Sequence, residues 1–242
     1  MCAIVVIALV GIAPSVARAQ STTPAPPAVQ RIAKTIAADV KSMASVDTFP
    51  LGLAAAAFAM TVWPYDAEIT QHASSSQAWK DAFEGWARIG GQEWFLATTA
   101  IGTYAYGRIF DQPGFAAVGG DLIEAESLAG VSTLAVKLAV HRTRPDGESR
   151  SFPSGHAAGT FAAATVLQRH FGWKVGVPIY AAASLVSIAR LQANSHYPTD
   201  IIIGGAIGIL CGRAGTFDLA AHRVRVSPAI APGGFAVSAT IF

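Results

Sequence analysis

From residue 48 to residue 215 the chain is a succession of apolar, alanine- and glycine-rich segments. Each is about one helix long and is closed by Pro, Gly or a short charged stretch. This pattern confines the fold more than any other feature. Long runs without period-2 alternation leave little for a sheet, and segments of this length read as helices that bury most of their surface. The segments are residues 48–65, bounded by Pro50 and Pro64, then 93–110, 120–145, and three more that follow His156, Lys174 and Thr199. Five or six core helices are expected. Asp121, Glu124 and Glu126 are read as first-turn acids of the third segment, suiting the helix dipole.

Composition narrows the class. The chain is 52% hydrophobic and 13% charged, well below the quarter usual for soluble domains. Disorder is excluded on these grounds, and a net charge of +2 argues against nucleic-acid binding through bulk electrostatics. The chain is expected to be either a compact exported helical domain or a membrane protein with short helices. Residues 48–65 just reach spanning length, but with proline at both ends.

The N-terminus has the form of an export signal over residues 1–19. A short apolar run precedes Ala17 and Ala19, an A-x-A site before Gln20. The leading "MC" lacks the usual cation, which keeps an uncleaved anchor open. Residues 20–30 are a Pro-rich linker. Ile32, Ile36, Val40 and Met43 mark an amphipathic helix beyond it. The main domain is expected over residues 31–219. The tail, residues 220–242, alternates on both sides of "APGG", which predicts a β-hairpin. If Cys2 leaves with the signal, Cys211 has no internal disulfide partner and reads as a small buried hydrophobe. No zinc spacing is present, and no metal site is expected.

Three clusters carry chemistry. In "KLAVHRTRP", Lys137 and Arg144 are about two helical turns apart, which would put both on nearly the same face near a helix end. A solvated cationic C-terminus would look the same. In "FPSGH", Ser154 is a good N-cap and Gly155 allows close backbone approach. The N–H groups of a new helix bind phosphate readily, and His156 can exchange a proton near neutral pH. In "ARLQANSHYPTD", Arg190 precedes His196, and Asp200 follows one turn later with Pro198 at a helix start. A carboxylate on one imidazole nitrogen fixes the tautomer and frees the other nitrogen as a nucleophile.

Taken together, Lys-x6-Arg-Pro, Pro-Ser-Gly-His and Arg-x5-His-x3-Asp resemble the motifs of the type 2 phosphatidic acid phosphatase (PAP2) superfamily. That superfamily also holds bacterial non-specific acid phosphatases and vanadium haloperoxidases. The likeness rests on Lys137, Arg144, Pro145, residues 153–156, Arg190, His196 and Asp200, and spans roughly residues 120–215. Two features depart from it. Ala189 stands where the third motif usually has Ser, and the loop over residues 146–152 is short.

The resemblance implies an all-α PAP2-like bundle and a metal-independent phosphatase without cofactor. His196 would attack phosphorus, Asp200 would orient it, and His156 would protonate the leaving oxygen. Lys137, Arg144, Ser154, Gly155 and Arg190 would cradle the phosphoryl oxygens. The apolar composition and short loops favour a lipid phosphate or pyrophosphate as substrate. They also favour membrane association, with the active site on the extracytoplasmic side. The alternatives are a soluble acid phosphatase, a vanadate-dependent haloperoxidase with His196 as vanadate ligand, and a degenerate scaffold. The complete set of histidines, aspartate and cations argues against the last. Arg142 and His141 match no motif position. The five tryptophans read as core or interface anchors.

Overall fold

The computed structural model describes residues 49–85, 93–214, 224–231 and 234–241. The export signal, the linker and the amphipathic helix expected before residue 48 lie outside the described residues.

The helical unit opens with α1 (Phe49–Val62), a 3-10 turn (Trp63–Tyr65), α2 (Asp66–Ser75) and α3 (Gln77–Gly85). It continues with α4 (Glu93–Ile109), α5 (Pro113–Val140), α6 (Gly155–Phe171), α7 (Trp173–Gln192) and α8 (Pro198–Ala214). The all-α class expected from the sequence is what these residues form. The apolar stretch 48–65 is not one span, because Pro64 lies in a 3-10 turn that ends α1.

Local chemistry sets the helix ends. Pro113 occupies the first turn of α5, where its missing N–H costs nothing. Helix α5 therefore begins seven residues before Gly120, and its first turn holds no acid. Asp121, Glu124 and Glu126 sit in its interior instead. Its other end is closed by His141 in the left-handed region, φ 52°. Arg144 thus stands in the loop beyond α5, not on the helix face that carries Lys137. Ser154 caps α6 by accepting from the Ala157 N–H at 3.3 Å. Gly172, φ 77°, ends α6 and starts α7.

The core is small and tightly packed. Ala100, Val118, Leu122, Ala125, Leu128, Ala158, Ala162, Val166 and Cys211 are buried against one another from α4, α5, α6 and α8. The α6–α8 contact is close because α8 presents glycine at every fourth position. A Cβ on Gly204 would meet the Ser154 carbonyl oxygen at 2.4 Å, and one on Gly208 would meet that of Ala158 at 2.2 Å. This approach sets the N-termini of α6 and α8 side by side. The Ser154 N–H donates to the Asp200 carbonyl at 2.9 Å.

Among the described residues one helix, α7, is long and apolar enough to cross a membrane. Its charges, Lys174 and Arg190, lie at its two ends. Large apolar side chains are exposed along the other helices, among them Leu53 and Met60 on α1, Trp94 and Ile109 on α4, and Val131 on α5. Trp63, Trp94 and Trp173 are exposed rather than core residues.

Residues 218–242 fall in a separate compact unit. The β-hairpin expected over residues 220–242 is not supported. The fold class rests on the helices alone.

Candidate active site

Every motif residue singled out in the sequence lies at one end of the helical unit. Lys137 is in the last turn of α5, and Arg190 is in the last turn of α7. His156 is in the first turn of α6, beside its Ser154 cap. His196 precedes α8, whose first turn carries Asp200. Arg144 is in the loop between α5 and α6.

His196 and Asp200 are both fully buried. The imidazole turns Nδ1 toward Asp200 Oδ2 at 3.5 Å, beyond hydrogen-bond length, and Nδ1 has no hydrogen-bond partner. Nε2 is therefore the nitrogen left for chemistry. Substrate-free enzymes commonly hold such contacts long and tighten them in the complex.

The Asp200 carboxylate is held by three donors. Its Oδ1 accepts from Arg142 Nη1 at 2.8 Å. Its Oδ2 accepts from the Tyr197 N–H at 2.8 Å and from the buried Ser151 hydroxyl. Burial by itself would raise this carboxyl. The nearby His196 imidazole, the donors Ser151 and Tyr197, and the Arg142 charge outweigh burial and hold it below the ordinary carboxylate range.

The histidines shift the other way. Burial, then the charges of Arg190, His196, Arg144 and Lys137, lower His156 to about 3. Burial also lowers His196, against the opposing pull of Asp200. Both imidazoles are neutral at pH 7 in the free protein. A neutral His196 is competent as a nucleophile. His156 needs a proton before it can act as an acid. A phosphate among the same cations brings the negative charge that raises its proton affinity.

Lys137 Nζ crosses to the loop and donates to the Arg150 carbonyl at 2.7 Å. Arg144 Nη1 pairs with exposed Glu148 at 2.7 Å, while its Nε is buried without a hydrogen-bond partner. Among the described residues no group of three or more His, Cys, Asp or Glu is arranged to hold a metal ion.

The sequence missed Arg142, Asp66, Ser151 and Thr199. Arg142 bridges Asp66 and Asp200. No local pattern announces this, since Asp66 lies 76 residues earlier.

Residues 95–219 match the PAP2 superfamily. The chain belongs to that superfamily. Its relatives include a lipid A 1-phosphatase from Porphyromonas gingivalis, 39% identical over 93 residues, which are 37% of this chain and 21% of that protein. A lipid A 4'-phosphatase from Helicobacter pylori is 40% identical over 58 residues, 24% of this chain and 29% of that protein. A decaprenylphosphoryl-5-phosphoribose phosphatase from Mycobacterium tuberculosis is 33% identical over 87 residues, 32% of this chain and 48% of that protein. The matches thus span between a fifth and a half of these relatives.

Two solved structures share the PAP2 fold with this chain. LpxE from Aquifex aeolicus aligns with a TM-score of 0.52 at 24% identity, covering 62% of this chain and 94% of its own. The transmembrane PAP2-type phosphatidylglycerolphosphate phosphatase from Bacillus subtilis aligns at 0.57 and 22% identity, covering 69% and 93%.

Proposed function

We propose that this PAP2-superfamily chain is a phosphatase acting on lipid-linked phosphomonoesters or pyrophosphates through a phosphohistidine intermediate. The observation that carries the reading is the single cluster at the helix start. It holds a buried imidazole backed by a carboxylate, a second imidazole, and the cations Lys137, Arg144 and Arg190, whose charges all act on His156.

In the first step His196 Nε2 attacks phosphorus. The bond from phosphorus to the leaving oxygen breaks, and His156 delivers a proton to that oxygen. In the second step water attacks the phosphohistidine and gives its proton to His156. The P–N bond then breaks, releasing inorganic phosphate and neutral His196. Asp200 stabilises the imidazolium character that develops on His196 during attack. Lys137, Arg144, Arg190, Ser154 and the Gly155 N–H offset charge on the phosphoryl oxygens.

The lipid-linked substrate class is supported by the three relatives, whose names all carry lipid substrates. Membrane association is supported by the apolar side chains exposed on α1, α4 and α5 and by the length of α7. The residue pattern around Ala17 and Ala19 supports an exported chain with its active site on the extracytoplasmic side.

The test is phosphate release in EDTA from a polyprenyl pyrophosphate in detergent and from a soluble phosphomonoester. The expected result is metal-free release that prefers the lipid and vanishes in His196→Ala. Equal release from the variant would refute the assignment of the nucleophile. Preference for the soluble ester would refute the lipid class.

A further inference from the structure

Arg142 is held by two carboxylates, a hydroxyl and two aromatic rings, and the proposed chemistry does not use it. Its Nη1 donates to Asp200 Oδ1 and to Thr199 Oγ1, both at 2.8 Å. Its Nη2 donates to Asp66 Oδ2 at 2.7 Å. The guanidinium lies over the Tyr197 ring at 4.0 Å and over the Trp63 ring at 4.5 Å. Asp66 is itself buried and accepts from the Thr199 N–H at 3.0 Å and from the Thr199 hydroxyl. One planar fork therefore joins two buried carboxylates, with two aromatic rings close to the guanidinium. This use of geometry suits arginine and not lysine.

Three things follow from this arrangement. The Asp200 carboxylate cannot rotate without breaking contacts to Arg142, Tyr197 and Ser151. The Arg142 charge beside Asp200 is offset by a second anion, so it does not strip Asp200 of its hold on His196. Asp66 also ties α2 to the first turn of α8, although it lies outside residues 95–219, the stretch that matches the superfamily.

We propose that Asp66 and Arg142 form a clamp that positions Asp200 and sets the proton affinity of His196. They act through Asp200 and are positioning residues. The inference rests on the phosphatase reading of the same site.

The charged and titratable groups acting on His196 are Asp200 on α8, Lys137 on α5, Arg144 in the following loop and His156 on α6. The clamp adds one cation and one anion behind Asp200, so removing each has an opposite sign. Asp66→Asn leaves the Arg142 charge uncompensated beside Asp200 and lowers the proton affinity of His196. Arg142→Gln leaves an extra anion and raises it.

The experiment measures kcat/KM against pH for wild type, Asp66→Asn, Arg142→Gln and His196→Ala, with thermal melting as a check on folding. The account expects the acid limb of Asp66→Asn to move to lower pH by about half a unit or more. It expects the limb of Arg142→Gln to move to higher pH, and kcat to fall about tenfold or more in both. A merely structural role lowers the active fraction and leaves the limb where it was. An unmoved limb in either folded variant overturns the clamp, and if Asp66→Asn does not fold, Arg142→Gln carries the test. If wild type and His196→Ala release phosphate alike, the phosphatase reading fails instead. The clamp is then decided by NMR titration of the His196 imidazole in the same proteins, with the same expected directions.

Discussion

A histidine buried among cations binds its proton weakly, and His156 is such a residue, lowered from 6.5 to about 3. Between those two pH values the unfolded chain binds one more proton at this position than the folded chain. Stability therefore rises with pH across that window and is lost as the pH falls from about 6.5 toward 3. The slope from one such group reaches about 1.4 kcal/mol per pH unit. His196 is lowered as well and adds in the same direction. His156→Gln is expected to flatten the fall in melting temperature between pH 7 and pH 5. A variant that melts with the wild-type pH dependence would show that the burial of this imidazole is not felt.

At this scale the sequence was legible where a role follows from local order. Ser154 caps, His156 follows it, and Asp200 falls one turn beyond His196. Arg142, Asp66 and Ser151 were not legible, because each acquires its role only when separate segments meet at the Asp200 carboxylate.

At the scale of elements, the two helices that carry the histidines meet through glycine. Gly208→Ala would put a methyl 2.2 Å from the Ala158 carbonyl oxygen. Backbone cannot yield as a flexible side chain can, so α6 and α8 must part. A loss of about 1–3 kcal/mol is expected, seen as a lower melting temperature together with lower activity, because the same contact aligns the site. Gly130, also helical, has nothing within 4 Å of its Cβ position. Gly130→Ala is expected to stabilise by about 0.5–1 kcal/mol and to leave activity unchanged. Equal effects at the two glycines would contradict the packing described here.

The helices were legible from apolar runs, and two of their starts from Ser154 and Pro198. The start of α5 was not, because Gly120 looked like a break. In the fold, Gly119 allows α5 to pass close to Tyr104 on α4: a Cβ there would meet the Tyr104 nitrogen at 2.2 Å. The glycines that resemble punctuation in the sequence are contact points in the helix pair. The seven-residue spacing of Lys137 and Arg144 misled in the same way, since α5 ends between them.

For the whole molecule, the decisive balance is between apolar surface buried and apolar surface left outside. The core is built mostly from small side chains, while Phe49, Met60, Trp94, Ile109 and Trp173 stay exposed. Water does not favour that arrangement, and a bilayer does. The chain is expected to sediment with membranes, resist an alkaline carbonate wash and require detergent for activity. Activity recovered in the soluble fraction without detergent would contradict the lipid assignment. Composition made this alternative visible from the start. The candidate span was misplaced, because residues 48–65 are broken at Pro64 while α7 keeps Pro178 inside a continuous helix.

The central claim is that His196 carries the phosphoryl group, and trapping that intermediate tests it most directly. Wild-type protein, mixed with radiolabelled substrate and quenched in alkali, should retain label that is acid-labile and alkali-stable. Peptide mapping should place it on His196, and His196→Ala should retain none. Label on another residue, or turnover with no retained label at any quench time, would contradict the account.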